Sequence, residues 1–158
     1  MTHFPCSSRS TALASLCCWL TIIFPTYIAD NAFRGMEGRI TSLNLSCDCF
    51  TTLPVGVGVL YKLRAFQILD NPLQNLNEDV IAILGQTLTN FYFDMASMQN
   101  WRTELHFLRE LEDLYIRNIP FEQLSTSAFY GLNNLRSLTI DHSLLRKIST
   151  AYCDLKKL

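Results

Sequence analysis

With 158 residues, 49% apolar and 17% charged, the chain has enough apolar surface for a substantial core and too much for disorder. Its 13 basic and 14 acidic residues leave a formal charge of −1, with no basic block, which argues against a nucleic-acid surface built on phosphate neutralisation. The 6 glycines and 5 prolines are too few for a low-complexity chain.

In chain order, the first segment stands apart. From Ser10 to Ala29 the chain carries no formal charge, after a short stretch containing Arg9. About 20 apolar residues suffice to span a bilayer, so residues 1–29 are expected to be a signal peptide or signal anchor. Pro25 breaks the run, and Tyr27 is large where a cleavage site prefers a small residue, which leaves cleavage open. The alternative is a buried helix or strand of the domain itself.

Residues 31–45 read "NAFRGMEGRITSLNL", and the same outline returns at 127–140 as "SAFYGLNNLRSLTI". A repeated outline calls for a test of periodicity before any other reading. Met36, Leu60, Leu84, Leu108, Leu132 and Leu155 stand 24, 24, 24, 24 and 23 residues apart. Three residues before each lies another apolar side chain: Phe33, Val57, Ile81, Leu105, Phe129 and Tyr152.

Between these pairs runs a second set of the form L-x-x-L-x-L. It begins at Ile40, Leu63, Leu88, Leu111 and Leu135, at steps of 23 to 25 residues. The L-x-L half alternates with period two, so it predicts short strands near 41–46, 64–69, 89–94, 112–117 and 136–141 with one buried face. Two more apolar anchors follow each strand: Phe50 and Leu53, Leu73 and Leu76, Met98 and Trp101, Phe121 and Leu124, Leu145 and Ile148. One coil cannot bury these residues alone. Stacked coils can, with their strands in one parallel sheet.

This pattern resembles the leucine-rich repeat family, over residues 28–158, and the phenylalanine in "AFRGM" and "AFYGL" resembles its extracellular, 24-residue subclass. The resemblance implies an α/β solenoid: a horseshoe with a parallel concave sheet and an irregular or helical convex side. Residues 30–39 would then be a partial repeat or N-terminal cap, and 40–158 five full units with the start of a sixth. The family's usual asparagine at the ninth position is replaced in all but one unit, where Asp48, Asn71, Ala96, Ile119 and Ser143 occur. Buried turn amides there must find water or neighbouring backbone.

Cys6, Cys17 and Cys18 fall in the leader, leaving Cys47, Cys49 and Cys153. Strands about 4.8 Å apart put Cys153 roughly 20 Å from the other two, beyond disulfide reach. "CDC" at 47–49 reads either as a remnant of a cysteine cap or as small residues at a solenoid end. No convergent ligand set for zinc appears, and no metal or other cofactor is expected. His3, His106 and His142 are scattered and no nucleophile motif is present, so an enzyme is not expected. Asn44-Leu45-Ser46 matches the N-glycosylation pattern, with Asn44 facing outward from its strand.

Side chains alternate across a strand, which defines the outward columns. The middle x of L-x-L gives Asn44, Gln67, Tyr92, Tyr115 and Thr139; the next column gives Ser46, Leu69, Asp94, Arg117 and Asp141. Beside it run Cys47, Asp70, Met95, Asn118 and His142. Adjacent tyrosines bordered by an arginine and aspartates have the composition of an interface hot spot. The expected binding residues are therefore Tyr92, Tyr115, Asp94, Arg117, Asp141, Gln67 and His142. The bland alternative is a solvated sheet with a stabilising tyrosine pair.

The reading that follows is a secreted or cell-surface module binding a protein ligand or receptor. It meets the membrane only through residues 10–29 or a further C-terminal segment. The alternatives are a structural or adhesive repeat, a truncated gene product, or an intracellular scaffold. Leu158 falls at the first position of a sixth unit, and Ile140, Leu145, Ile148 and Leu155 would be partly uncovered beside an open strand edge, so self-association there is expected.

Overall fold

The computed structural model describes residues 27–147 and Leu155. The leader through residue 26, and the expectations placed on Ile148, Tyr152 and Cys153, lie outside these residues.

Five strands form one parallel sheet in chain order: β1 (Ser42–Asn44), β2 (Ala65–Ile68), β3 (Asn90–Asp94), β4 (Asp113–Arg117) and β5 (Ser137–Asp141). Each lies inside its expected range, trimmed at one or both ends. The register keeps equivalent residues side by side: Leu43 beside Phe66, Phe66 beside Phe91, Phe91 beside Leu114, Leu114 beside Leu138. A repeated backbone device opens the strands. The Thr41 carbonyl accepts from Arg64 N at 2.8 Å and Ala65 N at 3.0 Å. The Arg64, Thr89 and Glu112 carbonyls each accept from the two corresponding amides of the next coil. One carbonyl thus meets two amides that would otherwise lack partners at a strand start.

Phe66, Ile68, Phe91, Phe93, Leu114 and Ile116 are fully buried on the inner side of the sheet. Phe91 stacks on Phe66 with ring centroids 5.7 Å apart and on Phe93 at 4.7 Å. Leu138 and Ile140 are only partly buried, because β5 is the last strand described and has a neighbour on one side. The return-path pairs Val57/Leu60, Ile81/Leu84, Leu105/Leu108 and Phe129/Leu132 are all buried. Met36 departs from that pattern at 45% exposed. It belongs to the first unit, and no described coil covers its outer side.

The return paths differ in local structure. Short 3-10 turns occupy Val55–Val59 and Thr103–Phe107, and a true helix, α1, spans Glu78–Leu84. The helix forms where successive strand sets are farthest apart, from Leu63 to Leu88, so this coil has the most chain to wind. Asn77 caps it, its side chain accepting from Asp79 N at 3.1 Å and Val80 N at 3.3 Å. Glu78 and Asp79 sit in the first turn, where acidic charge suits the helix dipole. Val80, Ile81 and Leu84 bury one face.

The recurrent aromatic–x–Gly outline has a backbone cause. Gly35 and Gly131 both adopt a left-handed conformation, at φ 81° and 88°. Around Gly35 an added Cβ would meet nothing within 4 Å, whereas at Gly131 it would lie 2.6 Å from the His106 carbonyl oxygen. Gly35→Ala should therefore cost about 1 kcal/mol, the left-handed penalty alone. Gly131→Ala should cost clearly more, because the neighbouring coil must also shift. Equal losses in denaturant titrations of the two variants would contradict this.

Candidate functional site

The outward side of β3, β4 and β5 carries the polar side chains that interact most closely. Tyr92 and Tyr115 are register partners, their rings in an edge contact with centroids 6.1 Å apart. The Tyr92 hydroxyl donates to Asp113 Oδ2 at 2.6 Å, and the Tyr115 hydroxyl donates to Asp141 Oδ2 at 3.0 Å. The Asp113 bond, then burial, raises the Tyr92 phenol above the ordinary tyrosine range. For Tyr115 burial comes first and Asp141 second, in the same direction. Both phenols stay neutral donors across the physiological range.

Beside the tyrosines lies a fork of charge. Arg117 Nε donates to Asp94 Oδ1 at 2.9 Å and its Nη2 to Asp94 Oδ2 at 3.0 Å, while Nη2 also pairs with Asp70. Asn118 Nδ2 donates to Asp94 Oδ1 at 2.9 Å, and the Asp70 backbone amide donates to Asp94 Oδ2. Burial opposes the charge on Arg117, but the carboxylates of Asp94 and Asp70 more than offset it and hold the guanidinium ionised.

The expected site residues sort as follows. Tyr92, Tyr115, Arg117 and Asp141 stand together, with His142 Nδ1 2.8 Å from Asp141 Oδ2. Asp94 is on the expected side of its strand, but its side chain is only 3% exposed beneath Arg117, so it supports the surface without presenting itself. Gln67 is the register partner of both Asn44 and Tyr92, at the margin of the cluster. Asn44 is exposed, with its Oδ1 accepting from Ser46 N at 2.9 Å.

Met95 corrects the outward column in which it was placed, for it is fully buried. Cys47, Asp70, Asn118 and His142 at the equivalent position all have positive φ, between 48° and 66°, whereas Met95 does not. Asp, Asn and His tolerate that conformation. Methionine turns its apolar side chain into the core instead.

The sequence reading missed Asp113, the acceptor for Tyr92, and the pairing of Asp70 with Arg117. The signal for Asp113 was available: it is two residues before Tyr115 on the same strand, hence on the same face. The departure at the ninth position is resolved in part. Asn71 behaves as the family asparagine would, its Nδ2 donating to the Leu45 carbonyl at 2.8 Å and the Leu69 carbonyl at 3.0 Å, and its Oδ1 accepting from Phe50 N at 3.0 Å. In the Ile119 coil, backbone serves: the Ile119 carbonyl accepts from Leu144 N at 3.0 Å.

Asp141 gives this cluster a titration signature. The Tyr115 hydroxyl, and after it His142, hold its carboxyl below the ordinary aspartate range. A folded-state value below the unfolded one makes the contribution to stability complete above the ordinary range and lost as pH falls through the lowered one. Tyr115→Phe should move the Asp141 titration upward in a side-chain carboxyl NMR experiment. An unchanged midpoint would contradict the hydrogen bond.

No family model matches the chain, and no curated protein does. Solved structures do. A structure of TLR13 in a complex with ssRNA13, a leucine-rich repeat protein, superposes over 84% of this chain with a TM-score of 0.64 at 20% identity. The fold is a leucine-rich repeat solenoid. The chain spans 22% of the length of that TLR13 chain. An internalin C2 structure from Listeria monocytogenes str. 4b F2365 overlaps over 83% of this chain and 62% of its own, with a TM-score of 0.47 at 18% identity. Among the described residues, no helix is long and apolar enough to cross a membrane, and no group of His, Cys, Asp and Glu is arranged to hold a metal ion.

Proposed function

We propose that this solenoid is a non-enzymatic module that binds a protein ligand or receptor through the strand side of its repeats. The observation that carries the reading is the Tyr92–Tyr115 pair, half-buried and held in place by Asp113 and Asp141. Tyrosines with their hydroxyls anchored present rigid apolar surface at little entropic cost, the usual make-up of an interface centre.

A photo-crosslinking residue at Thr139, in register with Tyr115, should capture a protein in cells that produce the full chain. The same residue at Ser127 on the return path should not. Tyr92→Ala combined with Tyr115→Ala should abolish capture. Capture from Ser127 alone, or capture indifferent to the tyrosines, would overturn the reading.

We place the module outside the cell or on its surface, on the strength of the charge-free run from Ser10 to Ala29. Residues 1–35 fused to a reporter should enter the secretory pathway, and a cytosolic reporter would refute this. In that compartment Asn44 becomes a glycosylation candidate, tested by a glycosidase-sensitive mass shift that Asn44→Gln removes.

A further inference from the structure

Around the tyrosine pair the charged and aromatic donors are already engaged, and this points to the chemistry of its partner. The Tyr92 and Tyr115 hydroxyls are spent on Asp113 and Asp141. Arg117 is spent on Asp94 and Asp70, and the Asn118 amide on Asp94. An ionised carboxylate has about four acceptor positions and a phenol donates one hydrogen, so Asp113 keeps most of its accepting capacity, whereas Asp141, which also accepts from the His142 amide and lies beside His142 Nδ1, keeps a smaller part on Oδ1. On the outward positions from β2 through the turn after β5, the carboxylates of Asp70, Asp94, Asp113 and Asp141 are opposed among the described residues by Arg117 and, beside Asp141, the His142 imidazole, although the whole chain is close to neutral. Arg64 and Arg136 lie outside this group at the strand starts, where Arg136 Nε is 4.0 Å from Glu112 Oε2.

What remains for a partner is tyrosine ring surface, flanked by carboxylates with open lone pairs. We infer that the strand face recognises a basic segment of a protein partner, in which an arginine or lysine side chain lies over the Tyr92–Tyr115 pair and donates to Asp113 and Asp141. The ring faces attract a cation electrostatically, and the carboxylates supply the charge-assisted bonds. A guanidinium fits best, since it stacks on one ring while its fork reaches a carboxylate. The same field repels a phosphate backbone, so this face is not suited to single-stranded nucleic acid. The inference rests on the strand face being the binding surface, and it adds the chemistry of what binds there.

The test uses the full chain and labelled oligo-arginine, oligo-lysine, oligo-glutamate and a single-stranded RNA as probes, followed by fluorescence anisotropy at low ionic strength. Oligo-arginine should bind more tightly than oligo-lysine, and added salt should weaken both. Asp113→Asn with Asp141→Asn should weaken oligo-arginine binding about tenfold or more, as should Tyr92→Ala with Tyr115→Ala. Tyr92→Phe with Tyr115→Phe should retain most of it, because the rings remain. This variant also guards against misfolding of the alanine pair. Glu78→Gln with Glu110→Gln removes the same net charge away from the strand face and should leave binding unchanged. Equal weakening by that control pair would reduce the effect to general charge attraction and overturn the proposal. Binding of oligo-glutamate or RNA that the face variants abolish would overturn it too. If a protein crosslinks at Thr139 but the basic probes ignore the face, the strand-face reading survives and the basic-partner chemistry fails.

Discussion

Truncation of Phe91 to alanine lowers the free energy of unfolding by about 3–5 kcal/mol. Phe91 is fully buried on β3, in the centre of the sheet, with β2 on one side and β4 on the other. Its ring stacks on Phe66 of the preceding coil and on Phe93 of its own. The alanine leaves a cavity that neither neighbour can fill, since both belong to strands pinned by backbone hydrogen bonds on each side. The consequence exceeds one site, because each coil buries its core only against the next. Urea denaturation followed by circular dichroism measures the loss. A change below about 1 kcal/mol would mean that the stacked phenylalanines do not bear on the stability of the solenoid.

Arg117→Met costs about 2–3 kcal/mol, the larger part of it through Asp94. The methionine leaves the Asp94 carboxylate, with a side chain 3% exposed, without the one cationic partner it has among the described residues. Breaking one member of a buried pair is worse than removing both, because the charge left behind has lost its solvation and its counter-ion. Arg117 itself is 21% exposed and part of its charge is screened, which keeps the figure below that of a fully buried pair. Asp94→Asn in the same chain should restore much of the loss: the amide oxygen still accepts from the Asp70 amide, and the carboxylate that remains without Arg117 is that of Asp70, which is partly exposed and reaches solvent. If the double variant is no more stable than Arg117→Met alone, the pair does not act through electrostatics. The two variants also separate support from recognition. Arg117→Met breaks the charge cluster beside the tyrosines, whereas Asp113→Asn leaves that cluster intact.

The sequence by itself determined the repeat, the five strands, their parallel order and the identity of the buried face. L-x-x-L-x-L states a local alternation, and nearly equal coil lengths then bring Leu43, Phe66, Phe91, Leu114 and Leu138 into one row without further information. The outward column through Gln67, Tyr92 and Tyr115 follows from the same arithmetic. What a residue does within its column was decided by contacts between coils, which no local pattern encodes. Asp94 and Asp141 occupy equivalent positions, yet one is buried under Arg117 and the other half-exposed beneath a tyrosine hydroxyl. Arg117 reaches two coils back to Asp70, a pairing across 47 residues that depends on the stacking itself. Met95 turns inward where its counterparts take a left-handed turn, and Met36 stays exposed because no described coil lies beyond it. Periodicity fixes where a side chain starts. Only the neighbouring coil, through its charges and the space it leaves, settles whether that side chain ends as core, as support or as surface.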